Sequence, residues 1–271
     1  MPALHRNGTT AHSAPVVLDV TKPNVARMYD YYLGGKDNYA ADRACAREVI
    51  RQAPITRELA RANRAFLRRA VRYLAEEAGV SQFLDVGAGL PTQDNVHQVA
   101  RRVDPSARVV YVDNDPMVLV HARALLAVDA QTRVIQGDVR KPDDILANWD
   151  LRGLLDLSRP VGVLLVAVLH FIPDDEHPYE AVRTLLDAMP PGSYLVISHV
   201  EHLPHLEAAA APYERANVPV VLRTFEEIGA FFTGLTVLRP GLVNVRRWRP
   251  DDQVLDSDRD VPCFGGVAVK L

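Results

Sequence analysis

The sequence predicts an α/β fold: a mainly parallel, doubly wound sheet that has an antiparallel strand near its C-terminus and a helical cap at its N-terminus. Apolar residues from about Pro23 to Ala78 recur with helical spacing. After Gly79, short apolar runs alternate with helical segments, and this alternation favours parallel strands joined by right-handed crossovers. The last two apolar runs, near Leu235–Leu238 and Gly265–Val269, have no obvious helix between them, so we expect an antiparallel ending.

The N-terminal region predicts helices that precede the sheet. Asn24 can cap a first helix, and Gly34-Gly35 ends it. From Arg57 to Ala78, apolar residues occupy one side of a long amphipathic helix. We therefore divide the chain into a flexible tail (1–20), a helical cap or lid (21–79) and a main domain (80–271).

Short apolar runs and helix-start signals predict the elements of the sheet. Asp115-Pro116 places an N-cap residue before a proline at the first helical position, which is a strong start signal. Thr224 and Glu227 form a capping box that begins a short helix. The predicted strands are Gln82–Val86, Arg108–Val112, Arg133–Gln136, Val161–Val166 and Tyr194–Ser198, and the helices between them run from about Gln93 to Arg102, from Asp115 onward and from about Pro178 to Ala188.

Composition and charge exclude several classes of protein. The formal net charge of the 271 residues is −3, which gives no general attraction to nucleic acid or to an anionic membrane. No apolar run approaches the roughly 18 residues that span a bilayer, and residues 1–15 lack the order of a signal peptide. Cys45 and Cys263 form no CxxC, so we expect neither a disulfide framework nor a metal site. A cytoplasmic protein with no nucleic-acid or membrane partner is the expectation.

The strongest local signal is a glycine-rich turn after the first predicted strand. The string from Phe83 to Gly89 carries an apolar strand into Gly-x-Gly and then a helix. Glycines are needed where the backbone turns sharply and a ligand approaches it closely. Asp113 ends the next strand, where a carboxylate can accept both hydroxyls of a ribose. These elements predict a nucleoside site; the alternative is a tight turn beside an aspartate that only caps the next helix.

The residues around the turn favour one kind of nucleoside. A dinucleotide site usually has a third glycine, in G-x-G-x-x-G, but Thr92 stands at that position, which weighs against a nicotinamide-dependent oxidoreductase. Asp85 precedes the first glycine by two positions, and this acidic position resembles that of methyltransferases with a Rossmann-like sheet. Asp138 ends the third strand, where an adenine contact and a plain turn or N-cap role are both open.

Four strings resemble a family of actinobacterial S-adenosylmethionine-dependent methyltransferases that was once described as a domain of unknown function. The likeness runs from about residue 20 to the C-terminus, and the string from Tyr29 to Asn38 is its most distinctive part because generic methyltransferases lack it. The resemblance implies a Rossmann-like class I methyltransferase fold and S-adenosylmethionine as cofactor. The strings are Pro23–Tyr39, Gln82–Thr92, Tyr111–Pro116 and Leu169–Pro173.

The motifs and the resemblance together imply the residues that bind the cofactor. Asp85 is expected near its methionine end and Asp113 at its ribose. Asp138 and the backbone N–H of Val139 are expected at its adenine. The full set is Asp85, Gly87, Ala88, Gly89, Asp113, Asn114, Asp138, Val139, Ala167, Tyr29, Gly34, Gly35, Lys36 and Asn38.

The segment after the first helix is a second candidate part of the site. Tyr29 and Tyr32 lie about one helical turn apart, and Gly34-Gly35 follows them and permits a hinge. We expect the segment from Tyr29 to Tyr39 to fold over the cofactor, with Lys36 near the methionine carboxylate. The alternative is a helix-ending Gly-Gly, with polar residues on the surface and both tyrosines packed in the core.

Two residues are candidates for catalysis. Methyl transfer from a sulfonium is an in-line displacement that needs alignment and sometimes a base for the acceptor's proton. His170 follows the fourth strand and Tyr32 belongs to the expected lid, so both are catalytic candidates. His199 and Glu201 follow the fifth strand and are further candidates for the acceptor site. Packing for His170 and solvated loop positions for the other two are the alternatives.

The sequence therefore predicts a methyltransferase that acts on a small-molecule acceptor. The fourth strand does not end in Asn-Pro-Pro-Tyr or Asp-Pro-Pro-Tyr, which disfavours methylation of DNA bases. A non-catalytic protein that binds S-adenosylmethionine or another metabolite is the alternative, because the three aspartates indicate binding without indicating turnover.

Overall fold

The computed structural model describes residues 19–91, 94–125, 129–252 and 260–271. Residues 1–18 of the predicted tail, and Thr92, lie outside the described residues. The strands are β1 (Gln82–Val86), β2 (Arg108–Asp113), β3 (Thr132–Gln136), β4 (Gly162–Val166), β5 (Tyr194–Val200), β6 (Thr236–Val237), β7 (Val243–Asn244) and β8 (Cys263–Val269).

These strands form one eight-stranded sheet in the order β3-β2-β1-β4-β5-β8-β6, with β7 beside β8. The strands from β1 to β5 pair in parallel, whereas β8 is antiparallel to β5, with Tyr194 opposite Val269. The predicted fold class is confirmed, including the antiparallel ending. Chain order reverses between β1 and β4, and ligands of open α/β sheets bind beside such a reversal.

Side chains of β1 alternate between the two faces of the sheet. Phe83 packs into the core on one face, and Leu84 and Val86 pack into the core on the other. Asp85 lies two residues after Phe83, so its side chain points to the same face of the sheet. That face carries Phe66 and the other buried residues of the third helix. Burial on both faces explains why the strand is apolar except at Gln82, where it begins, and at Asp85.

Helices cover both faces of the sheet, and the predicted helix starts at Asn24, Asp115 and Thr224 are confirmed. The helix predicted from about Gln93 begins at Val96, and Gln93 itself lies outside the described residues. The side chain of Asn24 accepts a hydrogen bond from Arg27 N–H at the start of the first helix, and Gly34 ends it in the left-handed conformation. Asp115 accepts from Met117 N–H at the start of the fifth. The helices are α1 (Val25–Leu33), α2 (Ala40–Gln52), α3 (Thr56–Glu76), α4 (Val96–Arg101), α5 (Pro116–Leu125), α6 (Pro142–Ala147), α7 (Trp149–Leu154), α8 (Pro178–Asp187), α9 (Glu207–Ala210) and α10 (Phe225–Ala230).

The N-terminal helices divide between two layers. α3 packs against the sheet, where Phe66, Ala70 and Leu74 are fully buried in the same core as β1. α1 and α2 form a second cluster with the segment that follows β5, in which Met28 packs with Leu206. The part of the N-terminal region that lies apart from the sheet core is therefore α1 and α2.

Several elements were absent from the sequence prediction. α6 and α7 have six residues each, which is too short for a helical period to be visible. β7 has two residues and depends on pairing with β8. Within the described ranges, no helix is long and apolar enough to cross a membrane.

Candidate functional site

A cavity of about 330 Å³ opens at the carboxyl ends of β1 to β4, where chain order reverses. We call it the strand-end cavity. α1 borders it on one side, and a segment after α9 contributes Ala216 to Pro219. The predicted residues that line it are Tyr29, Asp85, Gly87, Ala88, Gly89, Asp113, Asn114, Asp138, Val139 and Ala167.

The turn after β1 depends on glycine. Gly87 has φ +79°, and a Cβ at this position would lie 2.5 Å from Cγ2 of Val168. Gly89 has φ +65°, but a Cβ there would meet no atom within 4 Å. The N–H groups of Gly87 and Ala88 both donate to the carbonyl of Val112, which ties the turn to β2. Gly87 is therefore required by packing, whereas Gly89 leaves the backbone open to the cavity.

Asp113 connects the turn to the next helix. Its Oδ1 accepts from Asp115 N–H at 3.0 Å, and its Oδ2 accepts from a backbone N–H of the glycine turn. Burial raises the pKa of Asp113 to about 6, although these hydrogen bonds oppose the rise. The side chain of Asn24 donates to Asp115, so α1 is attached to the same end of β2.

Asp85 is the most perturbed carboxyl group of the strand-end cavity. Burial raises its pKa to about 7; the guanidinium of Arg64 lowers it, and the nearby charge of Asp113 raises it further. Arg64 belongs to α3 and also lines the cavity. A buried carboxyl that titrates near neutral pH responds strongly to a cation placed beside it.

Asp138 forms an ion pair in the structure. Nη2 of Arg140 lies 2.5 Å from its Oδ2, and Nη1 of Arg140 lies 3.1 Å from Oε1 of Glu176. Burial raises the pKa of Asp138, but the hydrogen bonds and charge of Arg140 outweigh it and hold the pKa below its ordinary value. The carboxylate of Asp138 is thus fixed at the rim of the cavity, and its contact with adenine stays a prediction.

The predicted loop of Gly34, Gly35, Lys36 and Asn38 does not line the cavity. It folds around Asp30 instead, whose Oδ2 accepts from Asp37 N–H at 2.9 Å and from Asn38 Nδ2 at 2.8 Å. A Cβ on Gly35 would lie 1.9 Å from Oδ1 of Asp30, and Lys36 is exposed. In this structure the two glycines end α1 and make room for a buried carboxylate, and α1 itself reaches the cavity; the lid role of the loop stays a prediction.

A second, smaller cavity of about 110 Å³ adjoins the first, and we call it the apolar pocket. Both candidate catalytic residues, His170 and Tyr32, line it, whereas neither lines the strand-end cavity. The residues that line both cavities are Val25, Tyr29, Ala167 and Phe171.

His170 is neutral at physiological pH. Burial lowers its pKa well below the ordinary value, and the nearby His199 and Arg223 lower it further. Its Nδ1 is buried, and no residue in the described part of the chain bonds to that atom. Tyr32 is also uncharged: its hydroxyl lies 3.0 Å from that of Tyr213, and burial raises its pKa. Neither side chain is ionised in this pocket.

His199 and Glu201, which the sequence left open as acceptor-site residues or solvated loop positions, line neither cavity. His199 is fully buried, with its ring nitrogens 2.7 Å from the carbonyl of Val200 and 2.9 Å from Nη1 of Arg223. Arg223 also donates to the carbonyls of Leu169, at 2.9 Å, and Ile172, at 2.8 Å. His199 and Arg223 therefore stabilise the turn that carries His170.

A buried polar network joins α1 to the turn after β4. The hydroxyl of Tyr29 accepts from Asn63 Nδ2 at 2.9 Å, and Asn63 Oδ1 accepts from the hydroxyl of Ser198 at 2.5 Å. Ser198 Oγ accepts from Ala167 N–H at 3.0 Å, and Ala167 has φ +58°. The network holds two residues that line both cavities.

Sequence reasoning missed Asn63, Ser198, Arg64 and Phe171. A signal existed for the first two, because Asn63 is a buried polar residue on the apolar side of α3 and Ser198 ends a buried strand. Such residues require partners, but the sequence does not show which ones. In the ranges the structure covers, no cluster of His, Cys, Asp or Glu is arranged to hold a metal ion.

The strand order and the position of the strand-end cavity define a class I methyltransferase fold. The chain belongs to the S-adenosyl methyltransferase family, whose sequence profile matches residues 11–271. This match confirms the prediction of a methyltransferase. No curated protein sequence gives a significant match.

Two solved structures from actinobacteria are similar over most of their length. A DUF574-family protein from Streptomyces avermitilis is 41% identical with a TM-score of 0.89, and the alignment covers 93% of this chain and 99% of that one. A candidate methyltransferase from Thermobifida fusca is 46% identical with a TM-score of 0.87, covering 93% and 96%. An O-methyltransferase-family protein from Burkholderia thailandensis, at 16% identity and a TM-score of 0.52 over 81% and 61%, shares the fold alone.

Proposed function

We propose that this methyltransferase binds S-adenosylmethionine in the strand-end cavity and transfers its methyl group to a small molecule. One observation carries the proposal: the fold brings Asp85, the glycine turn, Asp113 and Asp138 to the border of a single cavity. The buried thiols of Cys45 and Cys263 are free, which fits the reducing cytoplasm that we propose as its location.

The residues around the cavity fit an adenosine with an amino-acid end. The backbone at Gly89 is open to a ligand, because a side chain there would extend into empty space. Asp113 would hold the ribose hydroxyls, and Asp138 with Val139 the adenine. Asp85 would hold the ammonium group, since a cation restores the charged form of a carboxyl whose pKa is raised to about 7.

Bound S-adenosylmethionine supplies a methyl group that is activated on a positively charged sulfur. The chain's own contribution is to bind, align and exclude water. Val25, Ala167 and Phe171 surround the junction of the two cavities, and apolar surroundings favour a displacement in which a sulfonium loses its charge. A small-molecule acceptor is supported by the size of the adjoining pocket and by the net charge of −3, which does not favour nucleic acid.

Calorimetric titration and labelled transfer test this proposal together. We expect S-adenosylmethionine and its homocysteine product to bind, and NAD to show no binding. With methyl-labelled S-adenosylmethionine and a fractionated cell extract, label should enter the low-mass fraction. Binding of NAD in place of S-adenosylmethionine contradicts the cofactor, whereas label in the protein or nucleic-acid fraction contradicts the small-molecule acceptor.

A further inference from the structure

We propose that the apolar pocket is the acceptor site, and that it takes an uncharged, hydroxyl-bearing molecule or group of about the size of one six-membered ring. The inference rests on the proposed function, because it assigns the second substrate of the same reaction. It goes beyond that function by stating the chemistry of the acceptor.

The pocket lies next to the end of β4. It shares four lining residues with the strand-end cavity, among them Ala167, the first residue after β4, and Phe171 in the turn that follows. A molecule in the pocket would therefore contact the same side chains as a molecule in the strand-end cavity. Two reactants that must meet in line require such adjoining sites.

Volume limits what the pocket can hold. About 110 Å³ is available, and a dry, apolar protein cavity of about 150 Å³ accommodates a benzene molecule. Aliphatic side chains such as Val49, Ile55 and Leu59 surround it. Because this volume is no larger than that of a cavity that holds one ring, we expect a single ring to enter the pocket and a fused bicyclic group to be excluded.

Charge is excluded from the pocket. Among the described residues that line it, none is Asp, Glu, Lys or Arg. A charged acceptor would give up its hydration without meeting a counter-charge, which is costly in an apolar site. An uncharged acceptor avoids this cost, so the residues that line the pocket favour binding of an uncharged molecule.

Among the described polar side chains that line the pocket, His170 is the one that takes part in no hydrogen bond. Tyr29 is bonded to the carbonyl of Ala60 and to Asn63, Tyr32 to Tyr213, and Thr56 to the carbonyl of Ala53. His170 is 7% exposed, and its buried Nδ1 has no hydrogen-bond partner among the described residues. A neutral imidazole can accept from a hydroxyl, so we expect the acceptor's hydroxyl to bond to His170. The hydroxyl oxygen would take the methyl group as the carbon–sulfur bond breaks, the cofactor would leave as an uncharged thioether, and the hydroxyl proton would pass to the imidazole.

Phenol is the probe for this assignment. We expect it to saturate the wild-type protein in the presence of S-adenosyl-homocysteine and to shift the imidazole NMR signals of His170, while benzoate binds roughly a hundredfold more weakly. Ala210 lines the pocket and its neighbour Ala211 is exposed, so they form a matched pair. Ala210→Leu should weaken phenol binding about tenfold or more, and Ala211→Leu should leave it unchanged. Leu222→Ala enlarges the pocket and should admit 2-naphthol.

S-adenosylmethionine binding is measured on every variant. It shows, independently of phenol binding, whether the variant is folded and whether its cofactor site is intact. Cofactor binding without phenol binding overturns the acceptor assignment and leaves the proposed function intact. Equal binding of phenol and benzoate, or an unchanged phenol affinity in Ala210→Leu, also overturns it. If Ala210→Leu does not fold, the 2-naphthol result with Leu222→Ala decides, and failure to admit 2-naphthol counts against the assignment. If the wild-type protein does not bind S-adenosylmethionine, the proposed function is overturned as well.

Discussion

The backbone N–H of Gly89 donates a hydrogen bond to Oδ2 of Asp113 over 2.9 Å. The glycine turn after β1 and the acidic end of β2 are therefore one physical unit. Asp113 orders the turn in the absence of ligand, and its second oxygen accepts from Asp115 N–H. A variant at Asp113 would therefore remove the proposed ribose contact and loosen the turn at the same time.

Asp113→Ala is expected to weaken S-adenosylmethionine binding roughly a hundredfold. The reason is the loss of the two proposed hydrogen bonds from the ribose hydroxyls to the carboxylate, at about 1.5 kcal/mol each. Asp113→Asn keeps one acceptor oxygen and should lose roughly tenfold. Titration calorimetry measures both. Asp187→Ala changes an exposed aspartate and is the control. An affinity for Asp113→Ala within about twofold of the wild type would remove Asp113 from the site.

Gly87→Ala is expected to destabilise the fold by about 2 kcal/mol and to weaken cofactor binding, because φ +79° is strained for alanine and its Cβ collides with Val168. Val168→Ala removes the Cγ2 contact, so the double variant should recover part of the loss. Gly153→Ala is the matched control, since a Cβ there meets nothing within 4 Å. Thermal unfolding and calorimetry provide the readouts. Equal stability of the Gly87 and Gly153 variants would show that the turn tolerates a side chain.

The raised pKa of Asp85 predicts how the stability of the fold and the affinity for the cofactor change with pH. Burial raises that pKa from 3.8 to about 7, so the stability that its proton contributes is lost as the pH rises through about 7. An ammonium group beside Asp85 favours the carboxylate, so cofactor binding releases a proton. Affinity should therefore rise with pH, by up to about tenfold per unit, and level off above about pH 7.

Asp85→Asn separates this effect from others. The pKa of Asp113, raised to about 6 by burial, gives a slope of the same sign at lower pH. The variant should lose the slope between about pH 6 and 7 while keeping that of Asp113. Calorimetry in two buffers of different ionisation enthalpy counts the released proton directly. The same proton release from Asp85→Asn as from the wild type would assign it to another group.

The sheet and the glycine turn could be predicted because their signals are local. Alternating apolar runs, Asp115 before a proline and Gly87 after a strand each specify their own conformation. Contacts between distant segments could not be predicted. Ser198 bonds to Asn63 across 135 positions, and no pattern near either residue indicates the other.

The loop at Gly34 is a second case in which the local sequence does not determine the structure. A glycine pair followed by polar residues is compatible with a ligand loop and with a turn around a buried carboxylate. Only the packing of Asp30 against Gly35 and Asn38 distinguishes the two. The sequence analysis placed the whole segment from Tyr29 to Tyr39 at the ligand, whereas in the structure the residues of this segment that line the strand-end cavity, Tyr29 and Asp30, both belong to α1.

Hydrogen exchange with and without S-adenosyl-homocysteine tests that revised role of α1. Tyr29 lines both cavities and is bonded to Asn63, so a ligand that stabilises this network should protect the amides of residues 25–30. Protection should rise around Gly87 in parallel, because the turn borders the same cavity. The amides of residues 34–38 should change little, since that loop folds on Asp30 and not on the ligand. Stronger protection at 34–38 than at 25–30 would restore the loop as the lid, because only direct contact or closure orders a segment beyond its neighbours.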